Sequence, residues 1–179
     1  RYGGILLETE DSERVKQSAK RLSGLLSIPL FNWSSTSGLK REDEPGAIFG
    51  TQHIKGALQH IRASRFPGIY ALRVNDSDME NPLFLDILED ACRAMEDIPG
   101  GILLSGINAA IPSRLLGHLT SVTLPSPSPK EYRDMLVGIV KDMSKKQKVR
   151  VSLTQGQANR LIRNLRGFTL LEAEKVLTK

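Results

Sequence analysis

A single cysteine, Cys92, stands among 179 residues, which excludes an internal disulfide and a cysteine-rich metal site and fits a reducing compartment. No stretch approaches the roughly 20 apolar residues of a membrane-spanning helix. The first residues also lack the basic start and apolar run of a signal peptide. Membrane insertion and secretion are therefore disfavoured, and a cytoplasmic location is expected. Aromatic residues make up only 5%, and neither Gly-Lys-Ser nor Gly-Lys-Thr occurs anywhere. What is present is ordinary for a globular chain: 40% hydrophobic residues, 25% charged residues and a mean hydropathy of -0.22. That size and composition support one core, or a core with a small appendage. The chain opens on Arg1 rather than methionine and stops at Lys179 inside a helix-like pattern, so it is expected to be a piece of a longer protein.

The net charge of +5 conceals an asymmetry. Residues 1–126 carry 13 Lys and Arg against 15 Asp and Glu, a net of -2, whereas residues 127–179 carry 12 against 5, a net of +7. A module boundary is expected where the charge changes, provided that the periodicity changes there too.

The periodicity does change. Gly4-Ile-Leu-Leu-Glu8 reads as a buried strand, and Val15, Ala19, Leu22 and Leu26 follow at helical spacing behind the cap-type residues Asp11 and Ser12. Pro29 to Trp33 predicts a second strand, and the Ser-rich and charged stretch from Ser34 to Pro45 predicts a loop. A helix through Ile54, Ala57, Leu58 and Ile61 is stopped by Phe66-Pro-Gly68, and Ile69-Tyr-Ala-Leu72 forms a third strand. Asn81 and Pro82 open a helix whose apolar side is Phe84, Ile87, Leu88, Ala91 and Met95. Ile102-Leu-Leu-Ser105 and Ser121-Val-Thr-Leu124 predict the fourth and fifth strands, with a short helical turn from Arg114 to Gly117 between them. Alternation of this kind predicts an α/β body, a parallel sheet sandwiched by helices. Pro125-Ser-Pro-Ser-Pro129 then interrupts it, and only helical patterns follow: Glu131 to Met143, Leu153 to Leu165, and Leu170 onward. The expected domains are 1–126, α/β, and 127–179, a small helical unit cut at its end.

Candidate chemistry is scarce. The nearest imitation of a phosphate loop, Ser37-Gly-Leu-Lys40, has Arg41 where a hydroxyl is needed, and the first strand runs into the acidic Glu8-Thr-Glu-Asp11. Asp76, Asp78 and Glu80 imitate the start of a calcium loop, but Asn81 replaces the turn glycine and Ile87 the bidentate glutamate. Carboxylates stabilising the start of the following helix are the favoured reading. His53 and His60, seven apart, are separated by about 10 Å along a helix, too far for one zinc ion. Cys92 lies near the apolar side of its helix and reads as a buried structural thiol. Ser105 lacks the glycine that a hydrolase elbow requires two residues before it. A hydrolase using Ser105 or Cys92 is the last of three readings. Lys141, Lys145, Lys146, Lys148 and Arg150 surround one helix end. Arg160, Arg163 and Arg166 line one side of a helix whose other side is Ala158, Leu161, Ile162 and Leu165. They form either a solvated face or a basic binding face for phosphates.

Three stretches resemble the AAA ATPase family, a P-loop-NTPase-like fold with a helical lid. Ile102-Leu-Leu-Ser-Gly-Ile-Asn108 with Ile111-Pro-Ser-Arg-Leu115 resembles the sensor-one strand and the helix after it, with Asn108 at the polar sensor position. Val122-Thr-Leu-Pro125 through Pro129-Lys-Glu-Tyr-Arg133 resembles the last strand and lid entry, and Leu161 to Thr169 with Glu172 and Ala173 resembles the lid helices. In the family the third strand ends in Asp-Glu, where Asp holds magnesium and Glu orients the attacking water; here Arg73-Val74 follows Leu72. The trans-acting arginine has no counterpart near Gly117 and His118. A narrower resemblance is carried by Phe31-Asn-Trp-Ser34, Thr36-Ser-Gly-Leu39 and Leu165-Arg-Gly-Phe-Thr169. It is to the degenerate amino-terminal domain of bacterial and plastid proteins in which a second, active AAA domain follows.

The resemblance implies a non-catalytic domain of a larger ATPase, acting in assembly, regulation or target binding, with no catalytic, cofactor or metal residues of its own. ATP and magnesium would belong to the second domain. Its implied partners are that active domain, further copies of the chain and a protein target. The alternative is a nucleic-acid-binding or clamp-loader-like module using Arg160, Arg163 and Arg166.

Overall fold

A computed structural model describes residues 1–9, 11–106, 111–147 and 154–178. Asn108, Lys148, Arg150 and Leu153 lie outside the described residues. The chain divides into two compact units, Arg1–Leu124 and Pro125–Lys179.

The first unit is a mixed α/β body whose elements run β1 (Gly4–Glu8), α1 (Ser12–Leu26), β2 (Leu30–Ser34), β3 (Gly38–Arg41), α2 (Ile54–Ser64), β4 (Gly68–Arg73), α3 (Asp76–Met79), α4 (Pro82–Met95), β5 (Gly100–Ser105), a 3-10 turn (Ser113–Leu115) and β6 (Leu119–Thr123). Among the described residues the sheet has the order β3-β2-β4-β5-β1-β6. Every pairing is parallel except β2 with β3. The expected α/β fold is the one observed, and the antiparallel hairpin corrects the expected loop. Leu39 is fully buried and packs into the core, so Gly38–Arg41 gains enough burial to add an edge strand, while Lys40 and Arg41 keep that edge charged. The other strand limits also move: β2 spans Leu30–Ser34, β4 Gly68–Arg73, β5 starts at Gly100 and β6 spans Leu119–Thr123. Gly100 begins β5 at φ +109°, and a Cβ there would sit 2.0 Å from the Gly68 carbonyl oxygen, so only glycine fits.

Strand alternation sorts the core into two layers. Leu7, Leu30, Ile69 and Leu103 face α1 and meet Val15 and Ala19. Leu6, Phe31, Tyr70, Leu72, Ile102 and Leu104 face the other way and pack with Leu58, Ile61, Phe84, Leu88 and Met95 of α2 and α4. Phe31 and Tyr70 stack with ring centroids 4.8 Å apart, and the Tyr70 hydroxyl donates to the Phe66 carbonyl at 2.9 Å. Both helical layers start on side-chain caps: Asp11 for α1, and Asn81 with Pro82 for α4.

The second unit is helical: α5 (Pro129–Gln147), α6 (Gln155–Asn164) and α7 (Leu170–Leu177). Its core is Tyr132, Leu136, Ile162, Leu165 and Ala173. The Tyr132 hydroxyl donates to the Phe168 carbonyl at 2.6 Å, fastening α5 to the turn between α6 and α7. Thr154 with Gln157 and Thr169 with Glu172 form capping boxes at the starts of α6 and α7.

Candidate functional site

The α1 face of the sheet changes character at the carboxyl ends of its strands. In β2 the residues on that face run Leu30, Asn32, Ser34; in β4 they run Ile69, Ala71, Arg73; in β5, Leu103 is followed by Ser105. Apolar positions give way to polar ones where α1 begins, and the result is a cleft of about 370 Å³. It is lined by Ser12, Val15 and Lys16 of α1, by the ends of β2, β4 and β5, and by Asn75. Open α/β sheets place ligands at this edge of the sheet, so it is the natural candidate.

Among the described residues two cations and no carboxylate or imidazole line the cleft. Lys16 and Arg73 are exposed and have no ion pair among the described residues. The Arg73 stem lies across Gly106, where a Cβ would come 3.0 Å from Arg73 Cγ. The Ser105 side chain is only 7% exposed and makes no hydrogen bond among the described residues, although it lines the cleft. Residues 9–11 alone connect β1 to α1. Buried Asp11 caps the helix, its Oδ1 accepting from the Arg14 N–H at 3.1 Å while its own N–H donates to Thr9 Oγ1 at 3.1 Å. A carboxylate thus occupies the place where converging amides would have to receive a phosphate. At the end of β1, Glu8 accepts from Ser121 and from Thr123, and these hydrogen bonds hold its carboxyl below the usual carboxylate range.

The other sequence candidates are spread apart. Cys92 is fully buried on α4, and burial, with a smaller contribution from Glu96, pushes its thiol up to about 12. Asp78 and Asn75 form a capping box on α3, so the acidic run stabilises that short helix, while Asn81 caps α4 by accepting from the Leu83 and Phe84 N–H groups. Among the described residues no group of three His, Cys, Asp or Glu side chains converges as a metal site. His53 is the N-cap residue of α2 and does not cap it with its side chain. Arg114 is clamped by Asp86 and by Glu89, the latter at 2.9 Å, and His118 pairs with Glu96. Arg160, Arg163 and Arg166 are all exposed, with no ion pair among the described residues. Asn108 lies outside the described residues.

The structure adds a feature that the sequence reading missed. Phe49 is 98% exposed, between Gly46 and Gly50, both with positive φ. Its loop is braced from beneath by Thr51, which is fully buried: Oγ1 donates to the Ile48 carbonyl at 2.6 Å and accepts from the Leu39 N–H at 2.8 Å. The Thr51 carbonyl also accepts from Trp33 Nε1 at 2.7 Å. The signal available in the sequence was an aromatic residue in a glycine-flanked loop outside any apolar periodicity. For the cleft it was the switch from apolar to polar at alternate positions of β2, β4 and β5.

The family model of the SpoVK-like AAA ATPase, N-terminal domain, matches residues 1–124. No curated protein matches the chain. Among solved structures, the HORMA:CdnC:Trip13 complex of E. coli MS115-1 contains a similar chain, 13% identical, with a TM-score of 0.55 over 99% of this chain and 66% of that one. The FIGL-1 AAA domain, solved in complex with ADP, is 12% identical with a TM-score of 0.61 over 98% and 59%. A katanin structure concerned with self-assembly is 11% identical with a TM-score of 0.63 over 99% and 57%. The chain thus spans less than two thirds of the length of each, and at these identities the likeness is one of fold.

Proposed function

The chain belongs to the SpoVK-like AAA ATPase N-terminal domain family, and from that premise we propose that it is a non-catalytic AAA-like domain that binds a protein target while another domain of the same protein hydrolyses ATP. The observation that carries this reading is Arg73 followed by buried Val74 at the end of β4, where the resemblance calls for an Asp-Glu pair. The cleft's residues do not fit a magnesium triphosphate. Lys16 and Arg73 would oppose the metal, no lining carboxylate among the described residues would hold its water shell, and the Arg14 N–H in the first turn of α1 already donates to Asp11. FIGL-1 was solved with ADP; for this chain the cleft is read as nucleotide-free.

Target binding is supported by Phe49. A phenylalanine held in water on a braced loop contributes nothing to the fold, and burial against a partner would recover roughly 2 kcal/mol of apolar transfer energy. The katanin likeness supports further copies of the chain as partners, alongside the active domain. A cytoplasmic setting accords with the lone thiol. Among the described residues no helix is long and apolar enough to cross a membrane.

The test is calorimetric titration of the chain with magnesium ATP and, separately, with a reduced and alkylated unfolded polypeptide. The expected result is no heat with the nucleotide and saturable binding of the polypeptide that weakens in Phe49→Ala. Magnesium-dependent ATP turnover abolished by a substitution lining the cleft would overturn it.

A further inference from the structure

We propose that the cleft at the ends of β2, β4 and β5 is a receptor for an acidic side chain presented by a partner polypeptide. This rests on the reading that no nucleotide fills it. Lys16 and Arg73 bring positive charge to it without a carboxylate among the described residues to satisfy them. The Arg73 guanidinium is a planar fork that matches a carboxylate bidentately, and Ser105, a mostly buried residue that lines the cleft, adds a hydroxyl with no hydrogen-bond partner among the described residues. Asn75 extends this polar rim.

Two features select a carboxylate on a polypeptide over a phosphoryl group. Asp11 Oδ1 accepts from the Arg14 N–H, so this first-turn donor of α1 is engaged within the chain and is not offered to a phosphoryl group. Val15 and Ala71 give the cleft an apolar wall that suits the methylene stem of Asp or Glu, which a small free anion would leave uncovered.

Trp33, the single tryptophan, turns its ring to the opposite face of the sheet, where Nε1 donates to the Thr51 carbonyl, so occupancy of the cleft is read by calorimetry. Titration of the chain with a blocked hexaglutamate peptide in a calorimeter is expected to give saturable heat. Hexaglutamine is expected to give none. Arg73→Gln should weaken binding about three- to tenfold and Ser105→Ala about two- to threefold, values in the range of charge-assisted and neutral hydrogen bonds. Neither variant removes an intramolecular hydrogen bond or ion pair among the described residues, so unchanged melting is expected and checks the fold. The joint variant Arg160→Gln, Arg163→Gln, Arg166→Gln should bind as the parent does. The proposal is overturned by the absence of saturation, by parental affinity in both cleft variants, or by loss of binding in the triple variant. Inorganic phosphate displacing the peptide at lower concentration than acetate, at matched ionic strength, would also overturn it. Magnesium ATP is titrated separately: tight binding there sinks the nucleotide-free reading, whereas failure with hexaglutamate alone leaves that reading standing.

Discussion

Arg73 and Ser105 are register partners across the β4–β5 ladder, a cation beside an uncommitted hydroxyl on the same face of the sheet. The Val74 N–H continues that ladder to the Ser105 carbonyl at 2.9 Å, so the backbone fixes the pair although the Arg73 side chain is exposed. The site is therefore placed by the sheet and not by a loop, which is why its chemistry can be argued from residue types at fixed positions.

Restoring one acid at the end of β4 should not restore an ATPase. Arg73→Asp supplies a carboxylate but leaves residues 9–11 as the whole connection between β1 and α1, with Asp11 still on the amides. Magnesium-dependent phosphate release is expected to stay at background. The melting temperature should move by no more than a couple of degrees, since an exposed residue without a partner is exchanged.

The loop bearing Phe49 separates stability from binding. Phe49→Ala is expected to change unfolding free energy by less than about 0.5 kcal/mol, as for other exposed substitutions. Thr51→Val removes the acceptor of the Leu39 N–H and the donor to the Ile48 carbonyl in a fully buried place, and should cost about 1–3 kcal/mol. Urea denaturation of the two variants measures the difference. A Phe49→Ala change as costly as Thr51→Val would mean that the ring is buried in solution.

Much of the fold was legible because burial and periodicity agree. Leu7, Val15 and Ala19 meet in one layer and Phe84, Leu88 and Met95 in the other, as the spacing of apolar residues requires. The hairpin strand Gly38–Arg41 was not legible, because a single buried residue, Leu39, carries it and its neighbours are the charges that protect a sheet edge. The cleft was half legible. Arg73 stood out against the expected acids, but Ser105 acquires meaning only when parallel pairing sets it beside Arg73 and the sheet leaves its hydroxyl unbonded. Phe49 was invisible to periodicity, since exposure is decided by the loop's bracing and not by its own sequence.

Alkaline pH should destabilise the first unit through groups that ionise more readily when unfolded. The Cys92 thiol is pushed up to about 12 from an ordinary value near 9, and the Tyr70 hydroxyl to about 12 from near 10, both chiefly by burial. Both are essentially neutral in either state below about pH 8, so their contribution is intact there. As pH rises through about 9 and then 10 the unfolded chain loses these protons first, and stability falls towards pH 12. The chain with Cys92→Ala should show a shallower decline in urea midpoint above pH 9, together with a loss of about 1–2 kcal/mol at neutral pH from the vacated volume. In the parent chain, a thiol reagent should react only after denaturant is added; rapid labelling of the native protein would contradict the burial of Cys92.

The basic residues of α6 and the turn after it, where Arg166 lies beyond the helix end at Asn164 and not on its face as expected, offer the sharpest separation between the protein-binding reading and the nucleic-acid alternative. Arg160, Arg163 and Arg166 are exposed and have no ion pair among the described residues, so converting all three to Gln should leave melting within a couple of degrees. Three arginines can neutralise about three phosphates, which gives a slope of about -2.7 for log affinity against log salt on duplex DNA. With aromatic residues at 5% and none of them in α6, stacking cannot add the missing affinity. Residual DNA binding is therefore expected to disappear at physiological salt while binding of the unfolded polypeptide persists. A slope much steeper than that, retained at physiological salt and abolished by the triple substitution, would transfer the chain's function from protein targets to nucleic acid.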